Sequence, residues 1–402
     1  MMLDQHPRAD EPRPPDTLRV GMIGGGQLAR MTAVAASRLG IALTVMDPDP
    51  QCPAALVAPV VMGDPLDLEA LVAFGRTVDV VTFDHEGVPV ELVEALESRG
   101  IRVAPGHEAC RLAFDKAVAR RTLADLGLPV PTFEIVTDAS GIEQFGRRHG
   151  WPVVAKAARG GYDGRGVMFV EAGREHDAVT QLGPTIVVEQ RIEFDQELAV
   201  MVARRPSGDV VAYPPVSTVQ RDGMCAEVTC PAAVPAHVAA AAQRLAVELA
   251  EAAGLVGVMA VELFVDGEQL LVNEMATRPH NTGHHTIEAC VTSQFEQHLR
   301  AILDLPLGST DLRAPGAAMF NVVGPSDGCD PTAHLHDALA VSGAHVHLYG
   351  KHPRPGRKLG HVTALAASVD EARAIARAAA DRLNRSVTPT GTHTGTPTGE
   401  NS

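Results

Sequence analysis

Aromatic residues and basic runs are both scarce in this chain of 402 residues. Aromatics make up 3% of it, no lysine-rich run occurs, and 49 acidic residues against 34 basic ones give a net charge of −15. Proteins that bind nucleic acid depend on basic patches and stacking aromatics. Nucleic acid is therefore not expected as a partner, although a few cations that converge in one cleft could still bind an anionic small molecule.

Long apolar runs and closely spaced cysteines are also missing. No run approaches the roughly 18 apolar residues that a membrane span needs, so we expect no membrane partner. The six cysteines are scattered without a Cys-x-x-Cys spacing, which is typical of reduced thiols. These two absences predict a soluble cytoplasmic protein.

The two ends of the chain differ in composition from the rest. Residues 1–17 are rich in Pro, Asp and Arg, and residues 386–402 repeat Thr, Gly and Pro. Such compositions predict disorder. The first segment has no apolar core, so we expect it to be neither a signal peptide nor an anchor.

A glycine-rich stretch stands between two strand-like runs near the middle of the chain. Four glycines fall within residues 160–166, after Lys156 and before the apolar run 167–170. Glycine is most useful where the backbone turns sharply or approaches a ligand closely. The pattern predicts a hairpin whose N–H groups close over phosphate, with Lys156 as a counter-charge. A flexible surface hairpin without a ligand is the alternative.

The N-terminal region predicts a βαβ unit. Gly24, Gly26 and Ala29 follow a buried-strand run and satisfy the G-x-G-x-x-A dinucleotide pattern, and Asp47 stands about twenty residues on. A nicotinamide-dependent oxidoreductase is therefore a real alternative. Further strands at 78–83 and 101–103 would bring residues 84–86 to the ligand-binding edge of a parallel sheet.

The next region predicts a lid. One helix over about 111–126 ends before Pro129 and Pro131, which mark a joint. Strands and helices then alternate to about residue 190 and enclose the glycine hairpin. A small α+β module attached at two ends is suited to close over a ligand.

Two strand-like runs, 257–265 and 269–275, each carry a glutamate among apolar residues. Asp266 and Gly267 between them are a hairpin signal, so Glu262 and Glu274 converge on one face. Two unpaired carboxylates would repel each other, and a divalent cation such as Mg²⁺ resolves the repulsion. A pair of surface acids is the alternative. The histidines that follow lack the spacing of a zinc site.

A cation-rich segment stands out near the C-terminus. Five potential cations fall within residues 351–358, and two prolines stiffen this segment. In a chain this acidic, the segment favours an anion pocket over a solvated loop.

Together these motifs resemble the ATP-grasp superfamily and, within it, the N5-carboxyaminoimidazole ribonucleotide synthase family of purine biosynthesis. The resemblance spans about residues 20–363 and rests on Gly-Gly-Tyr-Asp-Gly-Arg-Gly at 160–166, Val-Glu-Gln at 188–190, Gly-Val-Met-Ala-Val-Glu at 257–262, Asn-Glu at 273–274, Arg-Pro-His-Asn-Thr-Gly-His at 278–284, Ser-Gln-Phe-Glu-Gln-His-Leu-Arg-Ala at 293–301 and Arg-Pro-Gly-Arg-Lys-Leu-Gly-His at 354–361. The opening motif Gly-Gly-Gly-Gln-Leu-Ala-Arg-Met at 24–31 resembles that of the family, which does not bind NAD there.

The resemblance implies an α/β and α+β architecture. A Rossmann-like parallel-sheet domain would span 18–112 and an ATP-grasp domain 113–310, with its lid at about 132–190 and a central mixed sheet. A small β-rich domain would span 311–385. The implied enzyme is a homodimeric carbon-nitrogen ligase that uses ATP, Mg²⁺ and bicarbonate to carboxylate aminoimidazole ribonucleotide through carboxyphosphate.

The resemblance also implies residue roles. Mg²⁺ would be bound by Glu262 and Glu274. ATP would contact Arg111, Lys116, Lys156, Gly161, Tyr162, Asp163, Gly164, Arg165, Gly166, Glu189, Gln190, Ile192, Glu197, Gln220, Asn273 and Glu274. The ribonucleotide would contact Gly26, Gln27, Leu28, Glu86, His280, Asn281, Lys351, Arg357 and Lys358. Catalysis would involve Tyr162, Asp163, Arg278 and Lys351, the first two by closing over carboxyphosphate and excluding water.

The chain departs from the family pattern at two places. Residues 82–87 stand where the family has Glu, an aromatic or aliphatic residue, Glu and Asn, which leaves Glu86 as a substrate contact and puts Asp84 in doubt. Gln220 stands where some members have a histidine near the adenosine.

Two competing functions stay open beside the oxidoreductase. One is a sister ATP-grasp enzyme, such as glycinamide ribonucleotide transformylase or biotin carboxylase, and the other is a non-catalytic scaffold.

Overall fold

The computed structural model describes residues 17–161 and 166–385. The N-terminal region is a parallel four-stranded sheet in the order β3-β2-β1-β4. Its elements are β1 (Arg19–Ile23), α1 (Gln27–Arg38), β2 (Ala42–Asp47), β3 (Val60–Met62), α2 (Leu68–Gly75), β4 (Val80–Phe83) and α3 (Val90–Ser98). The predicted βαβ unit is confirmed. The expected strand at 101–103 is wrong, because only Val103 forms an isolated bridge, to Val81.

The single helix expected over 111–126 is two helices, α4 (His107–Phe114) and α5 (Lys116–Asp125). Asp115 between them has extended dihedral angles and accepts from the amides of Ala117 and Val118, each at 3.0 Å. A carboxylate that caps a helix N-terminus in this way satisfies donors that have no partner within the helix. The chain therefore turns at Asp115, which fixes the direction in which α5 presents its cations.

The predicted lid is an antiparallel four-stranded sheet in the order β5-β8-β6-β7, covered by two helices. Its elements are β5 (Phe133–Val136), α6 (Ala139–His149), β6 (Val153–Ala157), β7 (Val167–Val170), α7 (Glu175–Leu182) and β8 (Ile186–Gln190). Ile142, Phe145 and Ile186 are fully buried in its core. The pairing of β6 with β7 confirms the predicted hairpin, whose tip at 162–165 lies outside the described residues.

The largest unit is a nine-stranded sheet in the order β14-β13-β9-β11-β12-β15-β17-β16, with β10 paired to β9. Its strands are β9 (Gln196–Arg204), β10 (Val210–Ala212), β11 (Val216–Arg221), β12 (Met224–Cys230), β13 (Gly257–Asp266), β14 (Gln269–Ala276), β15 (Gly316–Val323), β16 (Ala344–Leu348) and β17 (Lys358–Ala366). The pairings between these strands are antiparallel, whereas a mixed sheet was expected. The C-terminal strands thus extend the central sheet, and the boundary at 311 stays a prediction.

Five helices accompany this sheet: α8 (Ala236–Ala252), α9 (Thr286–Ala289), α10 (Gln294–Ile302), α11 (Leu335–Leu339) and α12 (Val369–Leu383). The elements that were not predicted from the sequence are β3, β11, β12, β17, α2, α3 and α9 to α12. For α12 a signal was present, since Ser368 accepts from the amide of Glu371 in a Ser-x-x-Glu capping pattern. None of the described helices is both long enough and apolar enough to span a membrane.

Candidate active site

A buried network of charges joins the lid to the central sheet. The Lys156 ammonium on β6 lies 2.8 Å from one Glu189 oxygen on β8 and 3.1 Å from Asn273 Oδ1 on β14. Arg120 on α5 lies 2.6 Å from the other Glu189 oxygen and donates to the Asn273 carbonyl oxygen at 2.6 Å. Arg120 was not among the predicted site residues, although it follows Lys116 by four residues and such residues share a helix face.

Lys156 and Arg120 keep the carboxyl of Glu189 ionised. Burial alone would raise the pKa of this carboxyl, but Lys156 and Arg120 outweigh burial and hold it below its usual value. Burial lowers the pKa of Lys156, and Glu189 acts against that effect. Glu189 therefore stays ionised and fixes the direction of the Lys156 side chain.

Glu262 and Glu274 stand directly opposite each other on β13 and β14. The register shifts by one residue beside Glu262, so Glu274 rather than Asn273 is its partner. Directly opposed residues of antiparallel strands project on one face of the sheet. The predicted convergence of the two carboxylates is confirmed, and it depends on this bulge.

Electrostatics separates the two carboxylates. Burial, followed by repulsion from Glu274 and Glu197, raises the pKa of Glu262 to about 8. Glu274 keeps about half of its side chain exposed. Partial desolvation would raise its pKa, but Lys116, whose ammonium lies 3.0 Å away, outweighs that effect and holds the pKa at about 2. One carboxylate is therefore ionised at neutral pH while the other retains its proton.

Further predicted site residues surround this pair. Glu197 on β9 raises the pKa of Glu262, and its own pKa is raised by burial, although a hydrogen bond from Gln220 acts in the opposite direction. His280 Nε2 lies 3.8 Å from a Glu262 oxygen. Lys358 at the start of β17 lowers the pKa of Glu262. The structure therefore brings residues from the lid, the central sheet and the cation-rich segment into one cleft.

The loop after β14 presents polar atoms that lack hydrogen bonds. Arg278 Nε lies 3.1 Å from Glu86 Oε1, but the two are not aligned as a hydrogen bond. Both atoms, together with Asn281 Nδ2, are buried and have no hydrogen-bond partner in the described part of the chain. Buried polar atoms are normally satisfied, so these three fit a site whose ligand supplies the missing partners.

The glycine loop before α1 is already occupied by carboxylates of the chain itself. Gly25 donates to Asp47 at 2.7 Å, while Gly26 and Ala29 donate to Asp84 at 2.6 and 2.8 Å. These amides are the donors that a dinucleotide pyrophosphate would need, so the geometry argues against the nicotinamide alternative. Asp84, in doubt as a substrate contact, serves here as the acceptor at the start of α1.

Gly26, Gln27 and Leu28 lie at that same helix start. A Cβ on Gly26 would stand 2.1 Å from an Asp84 oxygen, so the close approach requires glycine. Leu28 is buried in the core, whereas Gln27 is half-buried and follows the loop. Of the three, Gln27 has a side chain that can reach outward from the sheet edge.

The cation-rich segment connects β16 to β17 and lies against α1. Arg30 on α1 donates to the Tyr349 carbonyl oxygen at 3.2 Å, and the Lys351 ammonium lies 5.8 Å from the Tyr349 ring centre. Arg357 donates to the His352 carbonyl oxygen at 3.0 Å. The segment and the predicted substrate contacts on α1 are therefore neighbours.

The remaining predicted ATP contacts lie around the lid. Arg111 on α4 lines a cavity of about 500 Å³ together with Glu86, Arg159 and Gly160. Gly161 and Gly166 flank the hairpin tip, Gln190 is exposed at the end of β8, and Ile192 is half-buried just after it. Tyr162, Asp163, Gly164 and Arg165 lie outside the described residues.

The loop histidines are engaged in hydrogen bonds. His284 Nδ1 lies 3.0 Å from Gln294 Nε2, and His285 Nδ1 lies 3.0 Å from the Thr282 carbonyl oxygen. Burial lowers the pKa of both imidazoles, to about 4 for His285. Among residues 17–161 and 166–385, no group of three or more His, Cys, Asp or Glu side chains is arranged to hold a metal.

Three family models match the chain in succession. They are a ribonucleotide synthetase preATP-grasp domain at residues 17–114, an ATP-grasp domain at 121–295 and a phosphoribosylaminoimidazole carboxylase C-terminal domain at 317–375. The N5-carboxyaminoimidazole ribonucleotide synthase of Mycobacterium bovis is 49% identical over 362 residues, which cover 87% of this chain and 84% of the relative. The chain belongs to the N5-carboxyaminoimidazole ribonucleotide synthase family.

Solved structures of this family agree with the fold. The synthetase of Thermus thermophilus is 37% identical, with a TM-score of 0.81, and the match covers 90% of this chain and 97% of that one. The synthase of Aspergillus clavatus in complex with ADP and 5-aminoimidazole ribonucleotide is 33% identical, with a TM-score of 0.84 and coverage of 92% and 99%.

Membership in the synthase family confirms the predicted ATP-grasp fold and makes the chain an ATP-dependent ligase. The oxidoreductase, scaffold and sister-enzyme functions are set aside. The roles of individual residues remain predictions.

The pKa of Glu262 predicts how stability depends on pH without divalent cations. The folded-state value of about 8 exceeds the ordinary 4.5, so the contribution of its proton is complete below about pH 4.5 and is lost as the pH rises through 8. Glu262→Gln cannot ionise. We expect the melting temperature of this variant, relative to the parent protein, to rise between pH 5 and pH 9 in the presence of a chelator.

Glu248→Gln removes an exposed carboxylate on α8 and controls for the loss of one negative charge. If the difference in melting temperature between Glu262→Gln and the parent protein stays constant from pH 5 to pH 9, the raised pKa is contradicted.

Proposed function

We propose that this chain catalyses the ATP- and bicarbonate-dependent carboxylation of the exocyclic amine of 5-aminoimidazole ribonucleotide, in de novo purine biosynthesis. The products are N5-carboxyaminoimidazole ribonucleotide, ADP and phosphate. One observation carries the proposal beyond family membership: carboxylates from β13 and β14, cations from α5 and β17, and unsatisfied donors from the loop at 278–281 converge on one cleft. Such a cleft suits polyanionic substrates and the anions that form between them.

ATP is proposed to lie between the lid and the central sheet. Lys156 is fixed by Glu189 and Asn273 with its charge at this boundary, where it can face the phosphates as a point charge. Lys116 and Arg111 approach from α5 and α4. The glycine hairpin would cover the phosphates, with Gln190, Ile192, Glu197 and Gln220 at the nucleoside end.

Mg²⁺ is proposed to bind between Glu262 and Glu274. The two carboxylates fit a hard divalent ion, because they are directly opposed and because burial, followed by repulsion from Glu274, raises the pKa of Glu262. Two carboxylate ligands from the protein also leave room for phosphate oxygens. The ion would neutralise phosphate charge. Once it binds, Glu262 need not keep a proton.

The proposed reaction begins when a bicarbonate oxygen attacks the γ-phosphorus of ATP and ADP leaves. The resulting carboxyphosphate breaks down to CO₂ and phosphate inside the closed cleft. The amine nitrogen then bonds to the carbon of CO₂ and loses a proton. Tyr162 and Asp163 would close the cleft against water, while Arg278 and Lys351 would stabilise the anions.

The ribonucleotide is proposed to lie where the N-terminal sheet, the loop after β14 and the cation-rich segment meet. Glu86 and Asn281 offer buried atoms without hydrogen bonds, and His280 lies beside Glu262. Gly26, Gln27 and Leu28 lie at the start of α1. Lys351, Arg357 and Lys358 would bind the phosphate group from the opposite side.

The proposal includes a cytoplasmic homodimer that acts on small molecules. An apolar surface on the N-terminal region supports the dimer, because edge strand β3 exposes Met62, and Leu56 and Leu66 nearby are more than half exposed. Exposed apolar patches beside an unpaired sheet edge are typical association surfaces.

ADP release tests the proposed reaction. With ATP, Mg²⁺ and bicarbonate present, we expect aminoimidazole ribonucleotide to stimulate ADP release strongly and glycinamide ribonucleotide to leave it unchanged. Glu274→Gln should reduce turnover at least about a hundredfold, because it removes a metal ligand and the partner of Lys116. A flat response to aminoimidazole ribonucleotide, or Mg²⁺-dependent turnover that survives the substitution, would contradict the proposal.

Substitution within the cation-rich segment tests the phosphate site. Lys351→Met should raise the KM for the ribonucleotide about tenfold, as expected for a lost charged contact, and leave the KM for ATP within about twofold. Arg354→Met removes an exposed cation three residues away and serves as the matched control. Equal KM values for the ribonucleotide in the two variants would show that Lys351 does not bind the phosphate group.

A further inference from the structure

The motif at 293–301 has no role in the proposed reaction, yet three of its polar side chains are completely buried. It forms α10, which begins after Ser293, whose hydroxyl accepts from the Glu296 amide at 3.2 Å. Gln294, Gln297 and His298 on this helix have no exposed surface. Buried amides and imidazoles are costly unless hydrogen-bonded, so the partners of these side chains show what the helix holds in place.

Gln294 binds both backbone polar groups of His280, in the loop after β14. Its Oε1 accepts from the His280 amide at 2.8 Å, and its Nε2 donates to the His280 carbonyl oxygen at 2.8 Å. The same Nε2 lies 3.0 Å from His284 Nδ1. The side-chain amide thus satisfies a donor and two acceptors of the loop at 280–284.

The fit around this amide is close. A Cβ at Gly283 would lie 2.5 Å from Gln294 Oε1, so the loop packs directly on the amide. The His280 N–H and C=O point into the protein interior towards α10, while its Nε2 lies 3.8 Å from Glu262 on the opposite side. Gln294 therefore holds the backbone of His280 from behind. The ring itself is oriented within the loop, where its Nδ1 lies 3.0 Å from Thr282 Oγ1.

We infer that Gln294 is a positioning residue, which fixes the loop carrying Arg278, His280 and Asn281 at the ribonucleotide-binding side of the cleft. It does so through hydrogen bonds to the His280 backbone and the His284 ring, without touching substrate. This inference rests on the proposed function, because it takes the loop to be part of the ribonucleotide site.

The same helix supplies a matched control. Gln297 is equally buried and makes the same pair of bonds to Gly308, accepting from its amide at 2.8 Å and donating to its carbonyl oxygen at 2.8 Å. The segment around Gly308 contains none of the predicted site residues. Gln294→Met and Gln297→Met therefore remove the same pair of backbone hydrogen bonds at similar volume, one behind the site and one away from it. Gln294→Met also removes the contact with His284.

Steady-state kinetics and hydrogen exchange on the two variants test the inference. Gln294→Met should raise the KM for aminoimidazole ribonucleotide about tenfold or more, with the KM for ATP within about twofold, because the loss falls on one substrate site. It should also accelerate deuterium uptake in peptides covering 278–285. Gln297→Met should accelerate uptake around residue 308 and leave both KM values near those of the parent enzyme.

Equal ribonucleotide KM values in the two variants, or unchanged uptake at 278–285 in Gln294→Met, would overturn the inference. If Gln294→Met does not fold, Gln294→Glu keeps the acceptor for the His280 amide but loses the donor, and a rise in ribonucleotide KM is again expected. The parent enzyme offers an independent measurement: the His280 amide should exchange as slowly as core strands, and rapid exchange would also overturn the inference.

The two proposals fail in different ways. Ribonucleotide-stimulated ADP release by the parent enzyme is measured first, and its absence would refute the proposed function. The exchange experiments need no substrate, so they still decide whether Gln294 holds the loop.

Discussion

Two glutamates placed opposite each other, Glu262 on β13 and Glu274 on β14, impose the main electrostatic constraint on the cleft. Like charges at adjacent positions are unfavourable unless cations or a proton offset them. Lys116 compensates Glu274 directly, at 3.0 Å, while Glu262 retains a proton at neutral pH. The protein therefore tolerates the pair only by keeping one of the two carboxylates protonated, and in the proposed enzyme a divalent ion would take the place of that proton.

The bulge beside Glu262 links this constraint to the lid. Counting residues back from the Asp266-Gly267 turn would pair Glu262 with Asn273, but the shift by one residue makes Glu274 the partner. Asn273 then binds Lys156 through its side chain and Arg120 through its carbonyl oxygen. One irregularity in the sheet thus sets both the carboxylate pair and the contact with the lid.

The sequence predicted local features well and long-range ones poorly. The turn at Asp266-Gly267 and the glycine hairpin are coded by neighbouring residues, and both were confirmed. The break at Asp115 was missed because helix-forming residues continue on both sides of it. The bulge, the Arg120 contact and the hold of Gln294 on His280 each join residues from different elements, and no local pattern specifies such contacts. Asp84 was ambiguous until its bonds to Gly26 and Ala29 were seen.

A crystal structure with Mn²⁺ and a non-hydrolysable ATP analogue would test the central claim most directly. Mn²⁺ prefers the same oxygen ligands as Mg²⁺ and gives an anomalous signal that locates it. The account predicts an anomalous peak at about 2 Å from carboxylate oxygens of both Glu262 and Glu274, shared with the phosphates of the analogue. A peak that touches neither carboxylate while the nucleotide is bound would contradict it.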